Sequence, residues 1–326
     1  MIGELMRQGF WWDPMTSTVR YALRRMRRSP GFTLGVILSF ALGIGANTAM
    51  FGIIDRLLLR PPAHVVDADR VRRLMVERLA PETGTHATVE MLSYPDYVAF
   101  TRARTFASVA AINTRPVTAG RGPAVRRYQA GVVTGNFFSL LGARSALGRF
   151  LGPDDDRVGA PGVAVLSYES WQGEFGGDRG VIGRTLDFGY GPYVIVGVAP
   201  KGFTGVDLRR IDVWLPLRPV AARTMGTVWA TSPGMNWLRV VARLAPGVAA
   251  QTAEAEATLL HRQGRAEQIG RGRYDPAVRV VATPLIAARG PLASRESKVA
   301  TWLAGISLLV LLIACANVAN LLLARG

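Results

Sequence analysis

The sequence predicts an α+β fold: a mixed α/β, two-lobed extracytoplasmic domain with a ferredoxin-like portion, flanked by two transmembrane helices. Three observations predict it. Long uncharged apolar runs stand near both ends, Gly31 to Ile54 and Val299 to Leu323. Between them, short segments rich in β-branched and aromatic residues alternate with segments of helical periodicity. The whole chain of 326 residues is also 49% hydrophobic while carrying a formal charge of +16, a pairing that ordinary soluble domains seldom show. The expected organisation is a basic amphipathic cytoplasmic segment over 1–30, transmembrane helix 1 over 31–54, the outside domain over 60–298 and transmembrane helix 2 over 299–323.

Each apolar run is long enough, at 1.5 Å per residue, to cross a hydrocarbon core of about 30 Å. A cleaved signal peptide would have an apolar region of only about 7–15 residues and an A-x-A-like site. The first run has neither, so it reads as an uncleaved anchor. Arg20, Arg24, Arg25, Arg27 and Arg28 crowd before it, whereas Asp55, Arg56 and Arg60 follow it. The positive-inside bias therefore puts the N-terminus in the cytoplasm and residues 60–298 outside. "VRYALRRMRRSP" sets Val19, Leu23 and Met26 on one helical side and arginines around the other, which suits the inner membrane surface. Setting topology and anchoring to anionic lipid are compatible roles for the same arginines.

Small or polar residues recur every fourth position in the first run: Gly31, Gly35, Ser39, Gly43 and Asn47. That spacing makes a groove for a crossing helix. The second run offers Asn317 and Asn320. An amide facing lipid would go unpaired at a cost of several kcal/mol, so Asn47, Asn317 and Asn320 are expected to face protein. Gly35, Ser39, Gly43, Asn47, Asn317 and Asn320 form the expected helix-packing face, either between these two helices alone or within a larger bundle.

In the domain, "SYPDYVAFTRA" (93–103) reads as a capped helix and "TGNFFSLLGARSALGRFL" (134–151) as a helix closed by a glycine turn. Strands are expected over 162–168, 184–188, 192–200 and 212–217. The stretch 236–247 reads as strand and turn, 248–268 as helix and 278–285 as strand, a ferredoxin-like half.

Catalytic chemistry finds no footing. His64, His86 and His261 are far apart in sequence, and no H-E-x-x-H, G-x-S-x-G or G-x-x-x-x-G-K-[ST] motif occurs. "PDDDR" (153–157) lacks the spacing of a calcium loop and reads as a solvated turn. No metal or cofactor is expected. All but two of the 39 basic residues are arginine, the exceptions being Lys201 and Lys298, and they scatter along the chain. That distribution argues against a nucleic-acid partner. The lone Cys315 excludes an internal disulfide.

A set of stretches in fixed order carries a family resemblance: "RYALRRMRRSPGFT", "ALGIGANTAMFGIIDRLLLRP", "YPDYVAF", "VTGNFFSLLGARSALGRFLGPDDD", "VAVLSYESWQGEFGGDRGVIGRTLDFG", "YVIVGVAPKGFTG", "DVWLPL", "WLRVVARLAPGV" and "LIACANVANLLLARG". From Arg20 onward the chain resembles the permeases of the MacB/FtsX group of ABC transporters, within them the acidobacterial duplicated orphan permeases (ADOP). The resemblance implies a periplasmic core domain between the first two membrane helices, a cytoplasmic ABC ATPase as partner, a second permease chain, and mechanotransmission serving efflux or lipoprotein movement. It implies no catalysis by this chain and a place in the bacterial inner membrane.

In that family a basic cytoplasmic segment and further helices follow the second helix, and the sequence stops before them. The resemblance therefore carries the expectation of a truncated chain, of a split permease whose missing half is another chain, or of a stand-alone protein. The alternative function is a two-helix receptor or adhesion protein with an extracytoplasmic ligand-binding domain.

Overall fold

The computed structural model describes residues 30–54, 61–79, 84–120, 125–189, 191–207, 209–285 and 295–323. The cytoplasmic segment expected over 1–30, with its anchoring arginines, lies outside them apart from Pro30. The chain divides into two compact units: Met1–Leu59 with Ser294–Gly326, and Arg60–Ala293. Helix α1 occupies Pro30–Ile54. Its proline stands at the first helical position, where a missing N–H costs nothing.

The second unit runs β1 (Val71–Leu79), β2 (His86–Val89), α2 (Tyr94–Phe100), β3 (Phe106–Ala119), β4 (Arg126–Val133), α3 (Phe137–Leu141), β5 (Leu147–Gly148), β6 (Val163–Leu166), α4 (Tyr168–Phe175), β7 (Thr185–Asp187), β8 (Pro192–Val198), β9 (Val213–Pro216), α5 (Leu217–Thr224), β10 (Arg239–Leu244), α6 (Ala250–Gly264), α7 (Ala266–Gly270) and β11 (Arg279–Pro284). The strands form one sheet in the order β11-β1-β10-β3-β4-β9-β6-β8-β5, with β2 on β1 and β7 on β8.

The first four strands of that order are mutually antiparallel. Two strand–helix–strand units, β1–α2–β3 and β10–α6–β11, interleave there in the ferredoxin-like order. The second half was expected from the sequence, and its partner half is now visible. Apart from β2, which follows β1, the remaining strands are inserted between β3 and β10. They do not leave the sheet: β4 pairs antiparallel with β3 along Ile112–Ala119 and parallel with β9. The two lobes therefore share one continuous sheet.

Alternation along the strands explains why both faces are covered. Val109 and Ala111 of β3, Ala130 and Val132 of β4, and Val240 and Ala242 of β10 enter one apolar cluster, which Tyr94, Tyr97 and Phe100 of α2 and Ala253 and Ala257 of α6 complete. Ala110, Ile112, Val133 and Val241 enter a second cluster with Phe137, Phe138 and Trp214. Each fully buried large apolar side chain contributes about 1.5–3 kcal/mol. Strands covered twice lose their polar alternation, which is why "VAVL" and "VWLP" are buried throughout.

Two expected elements differ. The helix expected over 134–151 is only α3. Gly142, at φ 72°, ends it in the left-handed conformation, and its N–H bonds back to Phe138 and Ser139. After it, Leu147–Gly148 pairs with β8. The longest strands, β1, β3 and β4, were not anticipated. Arginines interrupt the apolar pattern of β1 and β4, and β3 contains Pro116 and adjacent buried residues Val109 to Ile112.

Helix α8 (Arg295–Leu323) belongs to the same unit as α1 and packs against it. Among the described residues no helix is long and apolar enough to cross a membrane. The complete sequence of Pro30–Ile54 is uncharged over its 25 residues. The two spans thus rest on the sequence and are not shown by the structure.

Candidate functional site

The strongest concentration of buried polar chemistry joins the two ferredoxin-like halves. Ser93 opens α2 with a reciprocal cap: its hydroxyl accepts from the Asp96 N–H at 3.2 Å, and Asp96 Oδ2 accepts from the Ser93 N–H at 3.0 Å. The cap fixes the Asp96 carboxylate at the start of α2. From the far end of α6, His261 and Arg265 meet it, being four residues apart and hence on one helical face. Arg265 donates from Nη2 to Asp96 Oδ2 at 2.7 Å, and His261 Nδ1 stands 3.1 Å from Oδ1. The alignment of this last contact falls short of a full hydrogen bond, so it counts as an ion-pair distance.

His261 Nε2 lies 3.0 Å from the Tyr274 hydroxyl, and the Arg265 guanidinium sits 5.1 Å from the centre of the Tyr274 ring. Asp96, His261 and Arg265 are 3%, 1% and 4% exposed. Burial pushes the Asp96 carboxyl up, but the contact and charge of His261, the Arg265 charge and the Ser93 hydroxyl outweigh it and hold it below the usual carboxylate range. An ionised carboxylate only accepts, so the ring nitrogen facing Asp96, Nδ1, carries a proton.

A serine, a histidine and an aspartate in one cluster suggest a nucleophilic triad, but the wiring excludes it. Ser93 Oγ donates to Asp96 at 2.6 Å, and no bond to His261 is present. The serine is also fully buried. A triad needs the nucleophile on the base. Here the same groups pin α2 to α6.

The 153–157 turn divides its carboxylates. Asp154 is exposed, and Asp155 takes the Arg149 guanidinium through both oxygens, at 2.6 and 2.9 Å. Asp156 is buried and accepts from the Gly135 N–H at 3.1 Å and the Arg218 N–H at 2.7 Å, tying the turn to α3 and α5. Burial raises its carboxyl to about 6 against the opposing pull of those amides and the Arg218 charge. No group of three or more His, Cys, Asp or Glu suited to a metal occurs among the described residues.

Of the expected helix-packing residues, Gly43 is buried, Gly35 and Asn47 are half-buried, and Asn320 is exposed. The Ser307 hydroxyl of α8 donates to Asn47 Oδ1. The side chains of Ser39 and Asn317 lie outside the described residues, as do Arg20, Arg24, Arg25, Arg27 and Arg28. His64 and His86 are exposed, and neither bonds to the Asp96 network. In the sequence His261 stands alone, far from His64 and His86. The i, i+4 spacing of His261 and Arg265 was visible, but nothing pointed to Asp96, which is 169 residues from Arg265.

With strand order and buried network in place, comparison settles the family. The profile of the MacB-like periplasmic core domain matches residues 33–260. The chain belongs to that family. The match starts inside α1 and ends inside α6, so it spans the inserted strands and most of both ferredoxin-like halves. Membership in the MacB-like family makes the Arg60–Ala293 unit a periplasmic core domain by kind.

Among solved structures, a domain of a putative permease from Porphyromonas gingivalis is similar at 16% identity and a TM-score of 0.53, covering 69% of this chain and 92% of that one. The periplasmic region of MacB from Actinobacillus actinomycetemcomitans is similar at 16% identity and a TM-score of 0.48, with the same coverage. The extracellular domain of the noncanonic ABC-type transporter YknZ from Gram-positive bacteria follows at 14% and 0.46, covering 65% and 99%. At such identities the likeness concerns fold alone. No curated protein matches the chain.

Proposed function

We propose that the chain is a permease component of the duplicated orphan (ADOP) branch that couples ATP hydrolysis by a cytoplasmic ABC ATPase to conformational work outside the inner membrane. The observation that carries this reading is the MacB-like match running from within α1 through the domain. Helices α1 and α8 cross the membrane, with the N-terminus cytoplasmic and its arginines at the anionic inner surface. The face of Gly35, Ser39, Gly43 and Asn47, with Asn317 and Asn320, packs these helices against each other and against a second permease chain.

In this mechanism closure of the ATPase moves the helices, and the ends of the domain nearest the membrane carry the motion outward. A continuous sheet suits that task, because a hydrogen-bonded, doubly covered sheet transmits displacement with little internal give. The output is efflux or the movement of a lipoprotein or other substrate. Affinity purification of the full-length chain from native membranes is expected to recover an ABC ATPase. Repeated recovery of the chain with no ATPase, in mild detergent and with crosslinking, would overturn the coupling.

A further inference from the structure

Beside the Asp96 network lies a cavity of about 200 Å³. One side is apolar: Val76 of β1, Val89 of β2, and Met91 and Leu92 after it. The other side is cationic, with Arg78 and Arg265 around Tyr274. Its one carboxylate, Asp96, is spent, since Oδ2 serves Ser93 and Arg265 and Oδ1 faces His261. Asp275, which flanks Tyr274 in the chain, does not line the cavity and accepts from the Leu79 and Ala277 N–H groups.

One cationic group remains unanswered. Arg78 is half-buried, 5.9 Å from the centre of the Tyr274 ring, and has no carboxylate partner among the described residues. Arg265 is 4% exposed and its charge is met by Asp96, so Arg78 carries the surplus positive charge of the lining. The lining thus holds two guanidinium groups against one neutralised carboxylate, next to a hydrocarbon wall. An anion with an apolar body answers both halves, because carboxylate geometry matches the guanidinium fork.

We propose that this cavity binds a small organic monocarboxylate, its carboxylate on Arg78 and its hydrocarbon body against Val76, Val89, Met91 and Leu92. A ligand seated there would touch β1, β2 and α6 at once. It would thereby load the same junction of halves that Asp96 pins. The proposal stands on the cavity alone and is independent of ATPase coupling.

The test is ligand-observed NMR on the full chain in lipid nanodiscs, with pentanoate as probe and pentylamine and inorganic phosphate as controls. Pentanoate is expected to bind saturably while pentylamine does not. Arg78→Gln should weaken binding about tenfold or more without moving the thermal midpoint of the ligand-free protein. Met91→Trp, which fills the apolar side, should abolish binding and decides the matter if Arg78→Gln fails to fold. Failure of pentanoate to saturate, unchanged binding in Arg78→Gln or in Met91→Trp, or tighter binding of phosphate than of pentanoate would each overturn the proposal.

Discussion

Nδ1 of His261 stands 3.1 Å from Oδ1 of Asp96, so a contact between residues 165 positions apart joins the first helix of one ferredoxin-like half to the main helix of the other. Neither side chain sees solvent. The pair gains its value from what surrounds it: Arg265 neutralises the carboxylate, Ser93 caps the helix with it, and Tyr274 occupies the other ring nitrogen.

Breaking such a network from one side leaves an uncompensated buried charge. Asp96→Asn should therefore cost about 3–5 kcal/mol, read as a lowered urea midpoint by tryptophan fluorescence. Trp229 is a suitable reporter, its ring lying 4.6 Å from that of Tyr94 in the same helix. The exposed Asp154→Asn should stay within about 0.5 kcal/mol of the parent. Equal effects at the two positions would refute the central role given to Asp96.

Acid and neutral pH should act through different aspartates. Asp96 is held low, so its contribution is present above the usual carboxylate range and is lost as pH falls through its folded value. Asp156 is raised to about 6, so its contribution is full below the ordinary carboxylate value near 4 and is lost as pH rises through 6. Between pH 4 and 7 the parent should lose stability relative to Asp156→Asn, by on the order of 2–3 kcal/mol. Unfolding at several pH values checks this, and a constant difference between the two proteins would contradict it.

At Gly131 the sheet has no room for a side chain. A Cβ there would fall 2.6 Å from Cε3 of Trp214, a ring with no solvent exposure and therefore no way to swing aside. Gly131→Ala should cost about 1–3 kcal/mol and weaken near-ultraviolet circular dichroism from the aromatic cluster of Phe137, Phe138 and Trp214. Gly173→Ala, where a Cβ meets nothing within 4 Å, is the control expected to be neutral or better.

What could be read from the sequence follows from physical range. Local signals were legible: the Ser93–Asp96 cap announces α2, and short runs such as Val163–Leu166 announce strands because they are wholly apolar. The strand β3 was hidden because Asn113, Thr114, Arg115 and Pro116 interrupt its apolar pattern. Helix α3 was overrun because nothing in "FFSLLGAR" says that Gly142 ends the helix for good rather than interrupting it. The cavity was invisible for a third reason. Arg78, Asp96, Arg265 and Tyr274 come from four separate elements or loops, and only the sheet order brings them together.

In the proposed topology the Arg60–Ala293 unit stands outside the membrane between two crossings. Cysteine accessibility in intact spheroplasts tests it directly, since Cys315 is the chain's only cysteine and Cys315→Ser gives a clean background. In that background Val158→Cys, at a position 64% exposed on the domain, should react with a membrane-impermeant maleimide in intact cells, and Arg24→Cys only after permeabilisation. Labelling of Arg24→Cys in intact cells, or protection of Val158→Cys until lysis, would contradict it.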